Sequence, residues 1–244
     1  MSKINVVIPM AGLGSRFVSA GYKKPKPFID VDGKPMIVRV LENLKIENAH
    51  YILIARKEHI EEEINIVKKI LKNFNTTIIE IDYLTEGSAC TVIHARKYIN
   101  SNIPLLIANS DQIIDFDIND FITDASLRRL DGSILTFFDE EKNIKWSFAK
   151  VDENNIVTEV REKKPISNFA TVGIYYFSKG SDFINGGIDM IVKNERTTNE
   201  FYTCPVYNEL IKNGSQIGIF NIEFSKMHGI GTPEDLKSFI LKRL

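Results

Sequence analysis

The residues with the clearest chemical capacity sit directly after the first apolar run. Ile4–Ile8 is followed by Pro9-Met10-Ala11-Gly12-Leu13-Gly14-Ser15-Arg16-Phe17. Glycines at 12 and 14 let a backbone turn tightly and bring its N–H groups close to a phosphate chain. The Arg16 guanidinium offers a forked, permanently charged donor set for phosphate oxygens. A plain strand-to-helix turn would use a Gly-x-Gly pair equally well, and both readings stand on these residues alone. A dinucleotide fingerprint would need a third glycine where Phe17 stands, and an acidic residue ending the second strand where Arg56 stands. A Walker A loop would need Gly-Lys-Ser/Thr after four residues, and none follows.

The next segment, Tyr22 to Ile37, carries Pro25, Pro27 and Pro35. They favour extended and turn conformations that can fix a lysine in place. Lys23, Lys24 and Lys26 are either held donors of that kind or a solvated basic face. Further on, Asp111 ends the apolar run Ile103–Ala108 after Asn109 and Ser110. A carboxylate at the tip of a buried parallel strand suits Mg²⁺ carried on phosphates, and a turn or helix cap is its other use there. Asp115 and Asp117 read as turn and cap residues before a helix over Asn119–Leu130. Ser88 could cap a helix after Glu86-Gly87, and Asn199 could cap another. Glu159–Pro165 is charged throughout, like a solvated loop. His228 reads as structural or exposed, with approach to the site as the alternative. No Ser-His-Asp arrangement is visible.

These side chains need elements to hold them. Ile4–Ile8, Tyr51–Ala55, Thr76–Ile81 and Ile103–Ala108 read as buried strands. Pro35–Leu44, Glu58–Asn73 and Ser88–Tyr98 read as helices, the second with Ile60, Ile64, Val67 and Leu71 on one face. Strands alternating with helices indicate βαβ units and a parallel sheet. Ser133–Phe138, Ser147–Val151, Ile156–Arg161 and Ala170–Phe177 are further strand-like runs. Helices over Gly180–Val192 and Glu200–Asn213, a strand over Gln216–Ile222 and a helix over Pro233–Leu244 follow. The fold class is α/β, a Rossmann-like open mixed sheet, mostly parallel, flanked by helices. Ligands bind beyond the carboxyl ends of such strands, which directs attention to the residues after Ile8, Ile81 and Ala108.

The 244 residues carry 31 Lys+Arg against 32 Asp+Glu, and 43% are hydrophobic. A net charge of −1 argues against a nucleic-acid-coating protein, and the apolar content excludes a disordered chain. No apolar run reaches the ~20 residues of a membrane span, and no secretory leader is expected. Cys90 and Cys204 suggest no disulfide framework, consistent with reduced thiols in a cytoplasmic protein.

Taken together, Ala-Gly-Leu-Gly-Ser-Arg-Phe (11–17), Pro-Lys-Pro-Phe-Ile (25–29) and Gly-Lys-Pro-Met-Ile (33–37) resemble the nucleotidylyltransferases that activate sugar phosphates and related phosphorylated small molecules. The combination is far more specific than any part, and the resemblance covers nearly the whole chain. It implies the GT-A-like nucleotidyltransferase architecture in a single domain over 1–244, with a nucleotide-binding half (1–130) and an acceptor-binding half (131–244). It implies that Gly12, Gly14 and Ser15 cradle the nucleotide, with Arg16 on its β and γ phosphates. Lys26 would neutralise the α-phosphate in the transition state. Ala11, Thr85, Gly87 and Ser88 would surround base and ribose, and Asp111 would bind Mg²⁺. Lys163 would grip the acceptor phosphate, with Lys164 as an alternative register, while Gly173, Glu200 and Tyr202 would line the acceptor side. Many relatives carry a second metal aspartate where Gly229 stands here, so the resemblance leaves metal ligation to Asp111, the phosphates, water and, as one use of its carboxylate, Glu200.

The resemblance looks closest to a capsule-associated branch that includes cytidylyltransferases of glutamine phosphate. It implies CTP and L-glutamine phosphate as substrates, and a product for capsule or surface-polysaccharide assembly. A hexose 1-phosphate with UTP or dTTP is the runner-up. Phosphocholine is a third option, for which Tyr175, Tyr176, Tyr202 and Glu200 could supply an aromatic, acidic surround. A catalytically silent nucleotide-binding sensor and a glycosyltransferase are the alternatives of other classes. No nucleic-acid or membrane partner is expected, and a homo-oligomer remains open.

Overall fold

β-Branched and aliphatic runs become strands where both faces are covered, and they alternate with amphipathic helices that do the covering. The computed structural model, which describes residues 3–242, opens with β1 (Ile4–Pro9). The chain continues through α1 (Ser15–Ser19), β2 (Asp30–Val31), β3 (Lys34–Pro35), α2 (Met36–Asn43), β4 (Ala49–Arg56), α3 (Lys57–Glu62), α4 (Ile64–Asn73) and β5 (Thr76–Ile81). Then come α5 (Ser88–Ile93), α6 (Arg96–Ile99), β6 (Leu105–Ala108), β7 (Gln112–Ile114) and α7 (Ile118–Leu127). The remainder is β8 (Gly132–Phe138), β9 (Ser147–Val151), β10 (Val157–Glu162), β11 (Phe169–Phe177), α8 (Gly180–Val192), α9 (Val206–Lys212), β12 (Ile217–Ile222), β13 (Met227–Gly229) and α10 (Pro233–Leu241).

The main sheet has nine strands along the path β10-β9-β11-β6-β1-β4-β5, with β8 beside β11 and β12 beside β8. β6, β1, β4 and β5 are mutually parallel. β11 runs antiparallel to β6, β8 and β9, and β12 is parallel to β8. This is the open mixed α/β sheet expected, with the parallel run β6-β1-β4-β5 forming one side up to the edge strand β5. Alternate residues of β1 face opposite cores: Val6 and Ile8 join one, Val7 the other. A third cluster of Phe17, Met36, Ile113, Ile230, Leu236 and Phe239 ties α1, α2, β7 and α10 together beside the glycine loop.

Gly173 kinks β11. Its φ is +91°, and a Cβ there would lie 2.2 Å from Asn109 Nδ2. The pairing register with β8 shifts between Thr171 and Tyr175, as a bulge requires. The strand thereby pairs with β6 at one end and β9 at the other.

Several expected elements are corrected. The helix expected over Glu58–Asn73 is broken at Glu63 (φ −112°, ψ 32°). The break re-aims the second half, so Val67 and Ile70 are buried while Ile64 and Leu71 are exposed. The helix over Ser88–Tyr98 is likewise two short helices. The one expected from Glu200 starts at Val206, because Pro205 precedes it and the backbone at Phe201 is bonded to another loop. Pro35 precedes α2 rather than lying in its first turn. Residues 243 and 244 of the last expected helix lie outside the described residues.

Candidate active site

The carboxyl end of β1 opens into the glycine loop. Gly14 has φ +61°, and a Cβ there would lie 2.9 Å from Lys26 Cβ. The loop and the lysine are thus packed against one another, and no side chain fits between them. Gly12 meets nothing within 4 Å and borders open space. Phe17, 1% exposed, anchors α1 in the third core cluster. Lys26 begins a single 3₁₀ turn whose Pro27 and Phe28 are buried, so its backbone is fixed while its ammonium reaches out. That ammonium lies 2.5 Å from Asp111 Oδ2. Asp111 follows β6, and its carbonyl accepts from Ile230 N at 2.9 Å. A Cβ on Gly231 would fall 2.4 Å from Asp111 Oδ2, so that carboxylate is walled by bare backbone.

The turn after β5 carries Thr85, Gly87 and Ser88. Gly87, at φ +114°, lies against the Phe201 backbone: a Cβ would come within 2.4 Å of its carbonyl oxygen. Phe201 N donates to Glu86 O (2.8 Å), and Ala89 N donates to Phe201 O (3.0 Å). Ser88 does not cap α5; Gly87 holds that position. Ser88 Oγ accepts from Thr203 N at 3.0 Å and lies 3.0 Å from Thr203 Oγ1. Arg196 adds an ion pair to Glu86 (2.7 Å) and stacks over the Phe201 ring at 4.2 Å. The loop carrying Glu200 and Tyr202 is therefore strapped to the loop carrying Thr85 and Gly87. Asn199, at φ +66°, caps no helix.

At the far end, Lys163 Nζ donates to Tyr202 Oη at 2.6 Å and lies 4.7 Å from that ring's centroid. The Tyr202 hydroxyl holds the Lys163 ammonium above the usual lysine range, with Glu162 and Glu200 adding to the effect. Glu162 accepts from Ser147 Oγ. Burial pushes its carboxyl up, and the Ser147 hydroxyl and Lys163 pull it partly back. Tyr175 Oη and Thr171 Oγ1 are 3.1 Å apart in the floor. Burial raises the Cys204 thiol well above its ordinary value, which keeps it protonated and unsuited to nucleophilic attack.

One cleft of about 780 Å³ joins these groups. Its wall includes every expected site residue: Ala11, Gly12, Gly14, Ser15, Arg16, Lys26, Thr85, Gly87, Ser88, Asp111, Lys163, Gly173, Glu200 and Tyr202. Lys164, Tyr176 and His228 are not part of that wall. His228 Nε2 pairs with Asp115 Oδ2 at 2.7 Å instead. Asp117 and Thr232 are helix caps, accepting from Asn119 N and Asp235 N. Sequence reasoning missed Gln112, Trp146, Ser147, Glu162 and Thr203, all in the wall. Glu162 and Gln112 had a signal, as the residues beside Lys163 and Asp111; the others are placed only by tertiary pairing. Among the described residues no three His, Cys, Asp or Glu side chains cluster as a metal cage. The oxygen donors available are Asp111 and its neighbours.

The pattern of the nucleotidyl transferase family matches residues 5–232. The bifunctional protein GlmU of Methanococcus aeolicus is 27% identical over 252 residues, spanning 99% of this chain and 55% of that protein. The chain thus spans about half the length of such curated relatives. A nucleoside-diphosphate-sugar pyrophosphorylase from Vibrio cholerae superposes with a TM-score of 0.82 at 25% identity, covering 97% of this chain and 99% of the other. The inositol-1-phosphate CTP transferase of T. maritima shares the fold, with a TM-score of 0.74 at 14% identity over 99% of this chain and 95% of its own.

Proposed function

The chain belongs to the nucleotidyl transferase family, and on that premise we propose that it moves a nucleoside monophosphate from a nucleoside triphosphate to a phosphorylated small molecule. The observation that carries this reading is the Lys26–Asp111 pair, set in one cleft between the glycine loop and the Lys163–Tyr202 cluster. A triphosphate on the loop and a phosphate at Lys163 would bring two anionic groups toward the same ammonium.

In that arrangement the backbone N–H groups around Gly12–Ser15 and the Arg16 guanidinium hold the β and γ phosphates. Thr85, Gly87 and Ser88 border base and ribose. An oxygen of the acceptor phosphate attacks the α-phosphorus in line, the bond to the β-phosphate oxygen breaks, and pyrophosphate leaves. The attacking oxygen is already anionic, so no general base is required, and no covalent enzyme intermediate forms. Lys26 leaves Asp111 to donate to the α-phosphate as charge builds there; fixed charge of this kind is where phosphoryl transfer gains most. Lys163, held by Tyr202, grips the acceptor phosphate.

Asp111, at a strand tip with an orphaned amide oxygen beside it on Gln112, suits a hard cation such as Mg²⁺. Bound there, Mg²⁺ would neutralise and orient the triphosphate.

For the substrates we favour CTP with L-glutamine phosphate. Its α-ammonium would answer Glu162 and Glu200, which both border the acceptor end. Sugar 1-phosphates with UTP or dTTP are the second reading, favoured by the likeness to the nucleoside-diphosphate-sugar pyrophosphorylase of Vibrio cholerae. Ring hydroxyls would answer Glu162 equally well. We assign either product to cytoplasmic capsule or surface-polysaccharide assembly. The test is pyrophosphate release with Mg²⁺ across CTP, UTP, dTTP, GTP and ATP, each against glutamine phosphate, phosphocholine and hexose 1-phosphates. Turnover with one pair names both substrates. Nucleotide binding without turnover on any acceptor would replace the transferase by a binding protein.

A further inference from the structure

β7 and β13 form a two-stranded ribbon in which Gln112 pairs with Gly229. Directly paired residues project to the same face of such a ribbon. Gly229 leaves that face open: a Cβ there would meet only Gln112 Oε1, at 3.9 Å. That oxygen is buried and accepts no hydrogen bond from any described residue. Native folds rarely leave a buried carbonyl oxygen unanswered unless something outside the chain answers it. Gln112 directly follows Asp111, and both line the cleft. The ribbon's imidazole, His228, is turned to Asp115 and is not part of the cleft wall.

We infer that Gln112 Oε1 is a ligand of the divalent cation, a neutral second oxygen beside the Asp111 carboxylate in the room that Gly229 leaves. The inference rests on the cation-dependent reading proposed above. An amide carbonyl is a proper ligand for a hard cation. It adds no negative charge, however, so the Asp111–Gln112 pair supplies one carboxylate. The site then holds its cation weakly until nucleotide phosphates complete the shell. A carboxylate introduced on the same face should tighten it.

Mn²⁺ titration followed by electron paramagnetic resonance, with and without CTP, tests this on the whole chain. Gln112→Leu keeps the bulk and removes the donor. It should weaken Mn²⁺ binding by about tenfold or more while leaving the melting temperature unchanged or raised, because the unanswered oxygen is gone. Gln112→Glu and Gly229→Asp should each tighten Mn²⁺ by a similar factor, and they keep the question open to measurement if Gln112→Leu folds poorly. Wild-type affinity in Gln112→Leu, or unchanged affinity in Gln112→Glu, would overturn the assignment alone. A wild-type chain that binds no Mn²⁺ even with CTP would remove the cation-dependent reading as well.

Discussion

The two ends of the cleft are made in different ways. The glycine-loop end is mostly backbone: Gly12 and Gly14 expose N–H groups, α1 is pinned by Phe17, and the parallel strands β1 and β6 set the loop opposite Asp111. The Lys163 end is mostly side chain. Trp146 and Ser147 come from the start of β9, Glu162 and Lys163 from the end of β10, Thr171 and Tyr175 from either side of the β11 kink, and Tyr202 and Thr203 from a loop. A triphosphate is common to many substrates and can be met by invariant backbone geometry. An acceptor that differs between enzymes is met by side chains, which can be exchanged without rebuilding the sheet.

If that division is right, the most damaging change lies where the ends meet. Lys26→Ala should lower pyrophosphate release by about 10² to 10³ with the melting temperature little changed. Activity within tenfold of wild type would remove Lys26 from the chemistry. Within the backbone end, Gly14→Ala forces a Cβ into a left-handed residue against Lys26, which costs about 1–3 kcal/mol. Both melting temperature and kcat/KM should fall, the latter by about ten- to a hundredfold. Gly12→Ala has open space around its Cβ and should weaken nucleotide binding without lowering the melting temperature. Equal loss of stability in both variants would mean that the loop is shaped only for folding.

At the side-chain end, Ser88→Ala leaves Thr203 N–H and Oγ1 without their shared partner, a loss of about 1–2 kcal/mol. The acceptor KM should rise roughly five- to thirtyfold; an effect on the nucleotide KM alone would show that the strap carries nothing across. The smallest effect is on stability against pH. Burial raises the Glu162 carboxyl in the folded protein above its ordinary value, so the native state holds that proton more tightly than the unfolded chain. Its contribution is present below the ordinary carboxylate value and is lost as pH rises through the raised one. Glu162→Gln should flatten that part of the profile in urea melts. An unchanged slope would show that Glu162 is not desolvated.

Legibility followed the same division. The loop, Lys26 and Asp111 could be read because each sits in a contiguous motif or at the end of an apolar run. The central strands could be read because both their faces are buried and their runs are uninterrupted. Ser88 looked like a helix cap because Thr203, 115 residues away, cannot be paired with it from spacing. Trp146 had no local pattern at all. The Glu58–Asn73 periodicity misled because a straight helix would put Ile60, Ile64, Val67 and Leu71 on one face, whereas the turn at Glu63 re-aims the second helix and buries Ile70 in place of Ile64 and Leu71.

The bonds joining Glu86–Ala89 to Phe201–Thr203 bear on how such a chain can be diversified. An exchange of one segment from a relative leaves Gly87, where an added Cβ would already lie 2.4 Å from the Phe201 carbonyl oxygen, facing a foreign backbone, and strands the hydroxyl of Ser88. The two segments form one unit of inheritance. Libraries that vary residues 85–89 and 196–204 as a matched cassette should yield more folded, active chimeras than libraries that shuffle either one alone.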